Sequence, residues 1–255
     1  MLIPFGHLDV TDTTKRLCNE ALDSGRLSSG KLVREFEEKY AEVVGVKHAV
    51  TASSGTNALA MALMVLYDYG AERGNTVICP ALTFPGTTNA VCQAGFVPEF
   101  VDIDRKTLCI DAAQIDSIPM FQAEAIMPVS LMGKQPDWKA LRAIADDEGP
   151  ALIEDAAESH GAELDGIKAG AFGDIAGFSL YAAHIISCIE GGIATTNNED
   201  YAAIMRSIRG DGRACNCKVC VANQGTGACK KRWASGSDRR FQFDRIGMSC
   251  KMTIK

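Results

Sequence analysis

The sequence predicts an α/β fold: a three-layer α/β/α sandwich around a mostly parallel sheet. Two observations carry it. Short apolar runs alternate with segments of helical period at intervals of about 20–30 residues, the rhythm of strand–helix–strand units. Two of those runs, residues 151–153 and 175–180, deliver polar groups at or just past their ends, where ligands bind in open α/β sheets. The first leads into Glu154-Asp155-Ala-Ala-Glu158-Ser-His160-Gly161. The second contains Ser179 and is followed by His184.

The elements follow in order. Residues 11–23 read as a helix with Thr11 or Asp12 as its cap and Gly25 past its end. Residues 27–30 are a loop. Residues 31–44 form an amphipathic helix, with Leu32, Val33, Phe36, Tyr40 and Val43 near the 3-4 spacing. Residues 48–51 are a strand, and 52–57 lead into an apolar helix, 58–67. Small hydroxyl residues and a glycine at a helix start, here Ser53-Ser54-Gly55-Thr56, make an anion pocket, because the free N–H groups and the helix dipole point at bound charge. They serve equally as a plain helix cap. The pattern is neither a Walker motif nor a dinucleotide glycine motif.

Further strands are expected at 76–79, 97–101, 123–129, 151–153, 173–181 and 192–196. Helices are expected from 86 to 93 and over 110–117, 138–146 and 198–209. Phe84 lies in the loop after a strand, so it stacks on a flat ring or belongs to the core. After Gly210 the periodicity fades and Gly, Lys, Arg, Ser and Cys dominate. The chain therefore divides into a large domain (1–210), a cysteine-rich insertion or loop (211–245) and a final stretch (246–255).

Composition narrows the function classes. The net charge of −6, with no long basic block, argues against a nucleic-acid partner. No run of 18 apolar residues implies a membrane span. The N-terminus shows no charged region followed by an apolar core, so no secretory signal is expected and the chain is placed in the cytoplasm. Of the cysteines, Cys18, Cys79, Cys92, Cys109, Cys188 and Cys250 are scattered through periodic segments as small hydrophobes. Cys215, Cys217, Cys220 and Cys229 are bunched. In a chain without an export signal, bunching suggests metal rather than disulfides.

Residue chemistry leaves choices open. Asp155 is placed to hold a proton on a heterocyclic nitrogen, as the pyridinium partner does in pyridoxal phosphate enzymes, or to cap a helix. Ser179 binds phosphate or faces the strand surface. His184, in a loop of small and apolar residues, is a bystander or a general acid/base.

Seven motifs in order resolve these choices. They are Ser28-Ser29-Gly30, Ser54-Gly55-Thr56-Asn57-Ala58-Leu59, Pro80-x-x-Thr83-Phe84, Asp102-x-Asp104, Glu154-Asp155-Ala156-Ala157-x-x-x-Gly161, Phe178-Ser179-x-Tyr181 and Glu190-Gly191-Gly192. The series resembles the DegT/DnrJ/EryC1/StrS family over essentially the whole chain. The resemblance implies a fold-type-I pyridoxal phosphate enzyme acting on a nucleotide-linked sugar, and a homodimer. It implies that Gly55 and Thr56 hold the cofactor phosphate with Ser179 as a further ligand, that Phe84 stacks on the ring, and that Asp155 binds its nitrogen.

One departure redirects the expected reaction. The family's aminotransferases carry, five residues after the motif serine, the lysine that holds the cofactor covalently. Here that position is His184, which cannot form a stable link to an aldehyde. This resembles the sugar 3-dehydratase branch, which uses pyridoxamine phosphate and a histidine. The expected activity is C3 dehydration of a nucleotide-linked 4-keto-6-deoxyhexose, with His184 moving the proton. The alternatives are an aminotransferase that recruits Lys134 or Lys168, and a non-catalytic metal-binding relative. Cys215-x-Cys217-x2-Cys220, followed by Cys229, resembles the cluster segment of iron–sulfur members of that branch. The resemblance implies a [2Fe–2S] centre fed by a partner reductase, with zinc as the alternative ligand of four thiolates. Those members take one ligand from the segment matching residues 154–158, which has no cysteine here, so Cys220 is expected in its place. The family continues well past residues 247–253, so the end of this chain reads as the start of a truncated C-terminal region.

Overall fold

The computed structural model describes Gly6, Ile118 and residues 9–25, 27–115, 123–221, 228–234 and 236–253. The expectations about an export signal and about the chain end rest partly on residues 1–5, 7–8 and 254–255, outside the described residues. Helices α1 (Asp12–Asp23) and α2 (Lys31–Val44) precede strand β1 (His48–Ala52). The chain then alternates through α3 (Gly55–Met64), β2 (Thr76–Pro80), α4 (Pro85–Ala94), β3 (Val97–Val101), short α5 (Ala112–Ile115) and β4 (Ala123–Ile126). It continues through α6 (Trp138–Glu148), β5 (Ala151–Asp155), the hairpin β6 (Glu163–Leu164) and β7 (Ile167–Lys168), β8 (Ile175–Ser179), β9 (Gly192–Thr196) and α7 (Glu199–Ile208).

Seven strands form one sheet in the order β1-β9-β8-β5-β4-β2-β3. The neighbours from β3 to β8 run parallel, and β9 is antiparallel to both β8 and β1. Period-2 alternation distributes the side chains to two faces. Val50, Val77, Ile153 and Ile175 pack with α3, α4 and α7. Ile78, Ile126 and Leu152 pack with Trp138 and Leu141 of α6, and Ala49, Ala176 and Phe178 pack with Tyr40 and Val44 of α2. The three-layer sandwich is therefore present, with the fold class as expected.

Boundaries shift for physical reasons. Helix α3 starts at Gly55 rather than residue 58, because Ser54 already caps it: its Oγ accepts the Asn57 N–H at 3.1 Å. Strand β5 runs to Asp155, held by the Ile153–Ile175 and Asp155–Gly177 register with β8. The expected helix 110–117 reduces to α5, because Ile110 is used in a bridge to Ile103; residues 116–117 lie outside the described residues. The expected strand 123–129 ends at Ile126, and the β6–β7 hairpin has too short a pattern to be read. The final stretch folds back on the body, with Ser249 bridged to Gly210 and Thr253 to Ser28.

A buried ion pair ties three elements together. Arg209, just past α7, meets Glu37 of α2, with side-chain exposures of 12% and 8%. The Thr51 N–H and hydroxyl both donate to Glu37 Oε1 (2.9 and 2.8 Å), and Arg209 Nη1 donates to the Thr51 carbonyl at 3.0 Å. Removing one partner strands a charge in low dielectric. Arg209→Ala is expected to lower the stability measured by urea unfolding by about 3–5 kcal/mol.

Candidate active site

One cavity of about 570 Å³ opens at the C-terminal ends of β5 and β8. Gly55, Thr56, Phe84, Asp155, Ser179 and His184 all line it. These six residues come from the start of α3, the loop before α4, the ends of β5 and β8, and the loop after β8. The residues expected to hold the cofactor and move the proton are thus brought together in this cavity.

The anion end of the cavity is made by close backbone packing. A methyl group added at Gly55 would lie 2.6 Å from Ser179 Cβ, and one at Gly192 would lie 2.2 Å from the Ser54 carbonyl oxygen. Glycine is therefore required where the β1–α3 turn meets the β8–β9 pair. The result sets the free N–H groups of the first turn of α3 beside the Ser179 hydroxyl, a ready anion site.

At the other end stands Asp155, 3% exposed. Thr87 of α4 donates its hydroxyl to Asp155 Oδ2 at 2.6 Å, and the Ala157 N–H donates to Oδ1 at 3.1 Å. Thr87 has one hydroxyl proton, so the 2.6 Å contact to Thr83 requires Thr83 to donate. Burial raises the Asp155 pKa above its ordinary value, while the Thr87 and Ala157 bonds oppose that rise. A cationic N–H facing this carboxylate relieves the cost of burying its charge. Its neighbour Glu154 points to the opposite face of the sheet, accepts the Gly170 N–H at 2.8 Å, and is pushed by burial up to about 7.

Phe84 is 73% exposed at the cavity wall, which rules out the core alternative. It precedes Pro85, the first residue of α4. His184 hangs from the turn closed by its N–H to the Tyr181 carbonyl at 2.9 Å. Partial burial lowers its pKa below 6.5, and the nearby Glu158 carboxylate opposes this. The imidazole is therefore a neutral base near pH 7.

Several cavity residues were given no role by the sequence reading: Thr83, Thr87, Glu158 and Tyr181. Glu158 lies three residues past Asp155 on the same turn, a spacing that could have flagged it. Its Oε2 accepts the Met132 N–H at 2.9 Å, with Met132 at φ 54°. Thr87 carried no local signal, because its partner is 68 positions away.

Neither expected stand-in lysine reaches the cavity. Lys168 Nζ donates to the Val43 carbonyl at 2.6 Å and Lys134 Nζ to the Lys106 carbonyl at 3.0 Å. Among the described residues, no lysine lines the cavity.

The expected metal centre is not shown. Cys215, Cys217, Cys220 and Cys229 do line a common small cavity of about 40 Å³, with Lys231, Arg232, Arg239 and Arg240 around it. Yet among the described residues no three ligating side chains gather closely enough to hold a metal ion. Among the described residues, none of the four is in a disulfide. The Arg239 side chain beside them is committed to the Ala214 carbonyl. Among the described residues, no helix is long and apolar enough to cross a membrane.

With this geometry in hand, comparison places the protein. The family model of the DegT/DnrJ/EryC1/StrS aminotransferase family matches residues 9–253. The chain belongs to this family. A GDP-perosamine synthase of Caulobacter vibrioides is 41% identical over 235 residues, 92% of this chain and 57% of that protein. An E. coli GDP-4-keto-6-deoxy-D-mannose-3-dehydratase with bound hydrated PLP superposes with a TM-score of 0.84 at 28% identity, covering 98% of this chain and 64% of that one. A GDP-4-keto-6-deoxymannose-3-dehydratase with a histidine-to-asparagine replacement and bound GDP-perosamine gives the same TM-score at 27% identity, with 98% and 64% covered. The chain thus spans a little over half the length of the curated relatives it matches.

The tight packing at the anion end is directly testable. Gly192→Ala is expected to lose about 1–3 kcal/mol of stability in chemical denaturation, as overpacking does. Gly210→Ala, whose added methyl would meet nothing nearer than 3.6 Å, is expected to stay near wild type.

Proposed function

We propose that this chain carries the cofactor-binding part of a pyridoxamine phosphate-dependent 3-dehydratase acting on a nucleotide-linked 4-keto-6-deoxyhexose. One observation carries the choice: His184 stands at the cavity where the family's aminotransferases have their lysine, and no described lysine replaces it. The names of the curated relatives pull the other way, since the first are perosamine synthases and others are aminotransferases. They favour amine transfer, the alternative reading. The neighbouring 3-dehydratase folds, and the PLP bound in one of them, support the proposed reading and its cofactor.

The residues fit such a group. The first turn of α3 at Gly55 and Thr56, with the Ser179 hydroxyl, takes a dianionic phosphate. The buried Asp155 carboxylate holds a protonated ring nitrogen and keeps it charged. Phe84, exposed and at the cavity wall, covers a ring face. When bound, pyridoxamine phosphate supplies the amine that condenses with the C4 ketone, the electron sink, and the electron pair for removing the C3 oxygen. His184, a neutral base by burial, takes the proton from the methylene carbon beside that amine. It is then placed to return a proton to the departing C3 hydroxyl. Glu158 beside it favours the charged imidazole formed on the way.

Turnover with pyridoxamine phosphate and GDP-4-keto-6-deoxymannose, followed by mass spectrometry, decides between the readings. A product lacking the C3 oxygen is expected; a product bearing an amine at C4 would establish the alternative. His184→Asn is expected to cut the rate by about 10²–10⁴-fold, the usual contribution of a general base. Because burial lowers the His184 pKa, the base form persists at neutral pH. The rate should therefore stay flat on acidification until pH falls below 6.5 and then decline. His184→Lys is expected to create a borohydride-trappable link to the cofactor aldehyde that wild type lacks.

A second reading concerns the cysteines. Their convergence on one cavity supports a thiolate centre, iron–sulfur or zinc, whose assembly would draw the thiols inward. No step of the reaction is routed through it. Metal analysis of anaerobically purified protein is expected to find stoichiometric iron or zinc. Metal-free protein with unchanged melting on chelator treatment refutes this reading.

A further inference from the structure

His160 belongs to none of the roles above, yet it is 6% exposed and bonded at both ring nitrogens. Nε2 lies 2.8 Å from the Ser179 carbonyl oxygen and Nδ1 lies 2.7 Å from the Tyr40 hydroxyl. A carbonyl can only accept, so Nε2 carries the proton. Burial lowers the His160 pKa against the opposing Ser179 bond, and His184 when protonated lowers it further. The ring is therefore neutral, Nδ1 offers a lone pair, and the Tyr40 hydroxyl donates to it. Burial also raises the phenol pKa of Tyr40, which keeps that donor protonated. Both bonds thus select one tautomer.

Three rings brace this arrangement. Tyr40 packs edge-on to Phe178 at 5.3 Å between centroids and to His160 at 6.0 Å, and His160 lies 5.0 Å from Phe178. Phe178 directly precedes Ser179 on β8. Ser179 is thereby held on two sides: its Cβ abuts Gly55 at the start of α3, and its carbonyl is fixed by His160. The loop carrying His184 begins at this residue.

We propose that Tyr40 and His160 form a fixed-tautomer strut that positions the end of β8, and with it the Ser179 hydroxyl in the phosphate subsite and the root of the His184 loop. This rests on the reading of Ser179 as a phosphate ligand. His160 is a positioning residue, since it reaches the site through the Ser179 carbonyl.

Two measurements test it. Nitrogen-15 correlation spectra at neutral pH are expected to show His160 protonated at Nε2 alone. In Tyr40→Phe the ring should stay protonated at Nε2, held by the Ser179 carbonyl, while the Nδ1 resonance shifts on losing its donor. A wild-type ring protonated at Nδ1, or an Nδ1 resonance indifferent to Tyr40→Phe, overturns the strut. The second measurement compares two amides. Glutamine places its terminal amide near Nε2 and can keep the bond to Ser179; asparagine reaches the Nδ1 position and keeps the Tyr40 side alone. Titration with pyridoxamine phosphate, followed by absorbance, is expected to show His160→Gln within about threefold of wild type and His160→Asn about tenfold weaker, the scale of one lost hydrogen bond. Melting temperatures of the two variants are expected to fall alike, which separates positioning from general destabilisation. Equal affinity of the two variants overturns the proposal. If wild type binds no pyridoxamine phosphate, the cofactor reading fails and with it the link to the phosphate subsite, whereas the tautomer spectra still decide the strut.

Discussion

The site depends on a backbone-to-backbone contact. At Gly55, Ser179 and Gly192 the turn after β1, the end of β8 and the start of β9 meet with no room for a Cβ at either glycine. Two of these segments lie more than a hundred positions from the first, and the sheet order brings them together by placing β9 between β1 and β8. The antiparallel β9 strand is what makes this work. It pairs Ser179 with Gly192 and Ala52 with the same Gly192 from its other edge. The helix start, the hydroxyl and the glycine then share one corner of the cavity.

From that corner the electrostatics run in order. Helix α3 offers unbonded N–H groups to an anion. Asp155, across the cavity, is a buried acid whose hydrogen bonds come from a threonine and a single backbone N–H. A ligand that is anionic at one end and cationic at the other satisfies both ends. His184 lies beside the cavity with its pKa lowered by burial, so it accepts a proton at neutral pH. A lysine in its place would supply a primary amine and a covalent tether; imidazole supplies proton transfer alone.

Much of this was legible without coordinates, because it depends on local rules. The 3.6- and 2-residue periods of apolar residues located nearly every helix and strand. Ser54 and Asn198 could be read as caps because a cap bonds to N–H groups two or three residues away. Errors gathered where long-range pairing overrides local pattern: β5 extends to Asp155 because β8 pairs with it, and α5 is short because Ile110 bridges Ile103. The bunched cysteines were also legible as a cluster in sequence. Proximity along the chain brings all four to one cavity, yet among the described residues no three ligating side chains gather closely enough for a metal ion.

The sequence by itself determined the fold class, the order of elements, and the acid, hydroxyl and imidazole at the strand ends, because each follows from spacing within a few residues. The tertiary structure alone decided that those residues line one cavity, that Phe84 stands exposed there, that Lys134 and Lys168 are bonded elsewhere, and that His160 is locked between Tyr40 and Ser179. Each of these depends on which strands become neighbours. Sheet order is settled by packing across three layers, and no single stretch of chain encodes it.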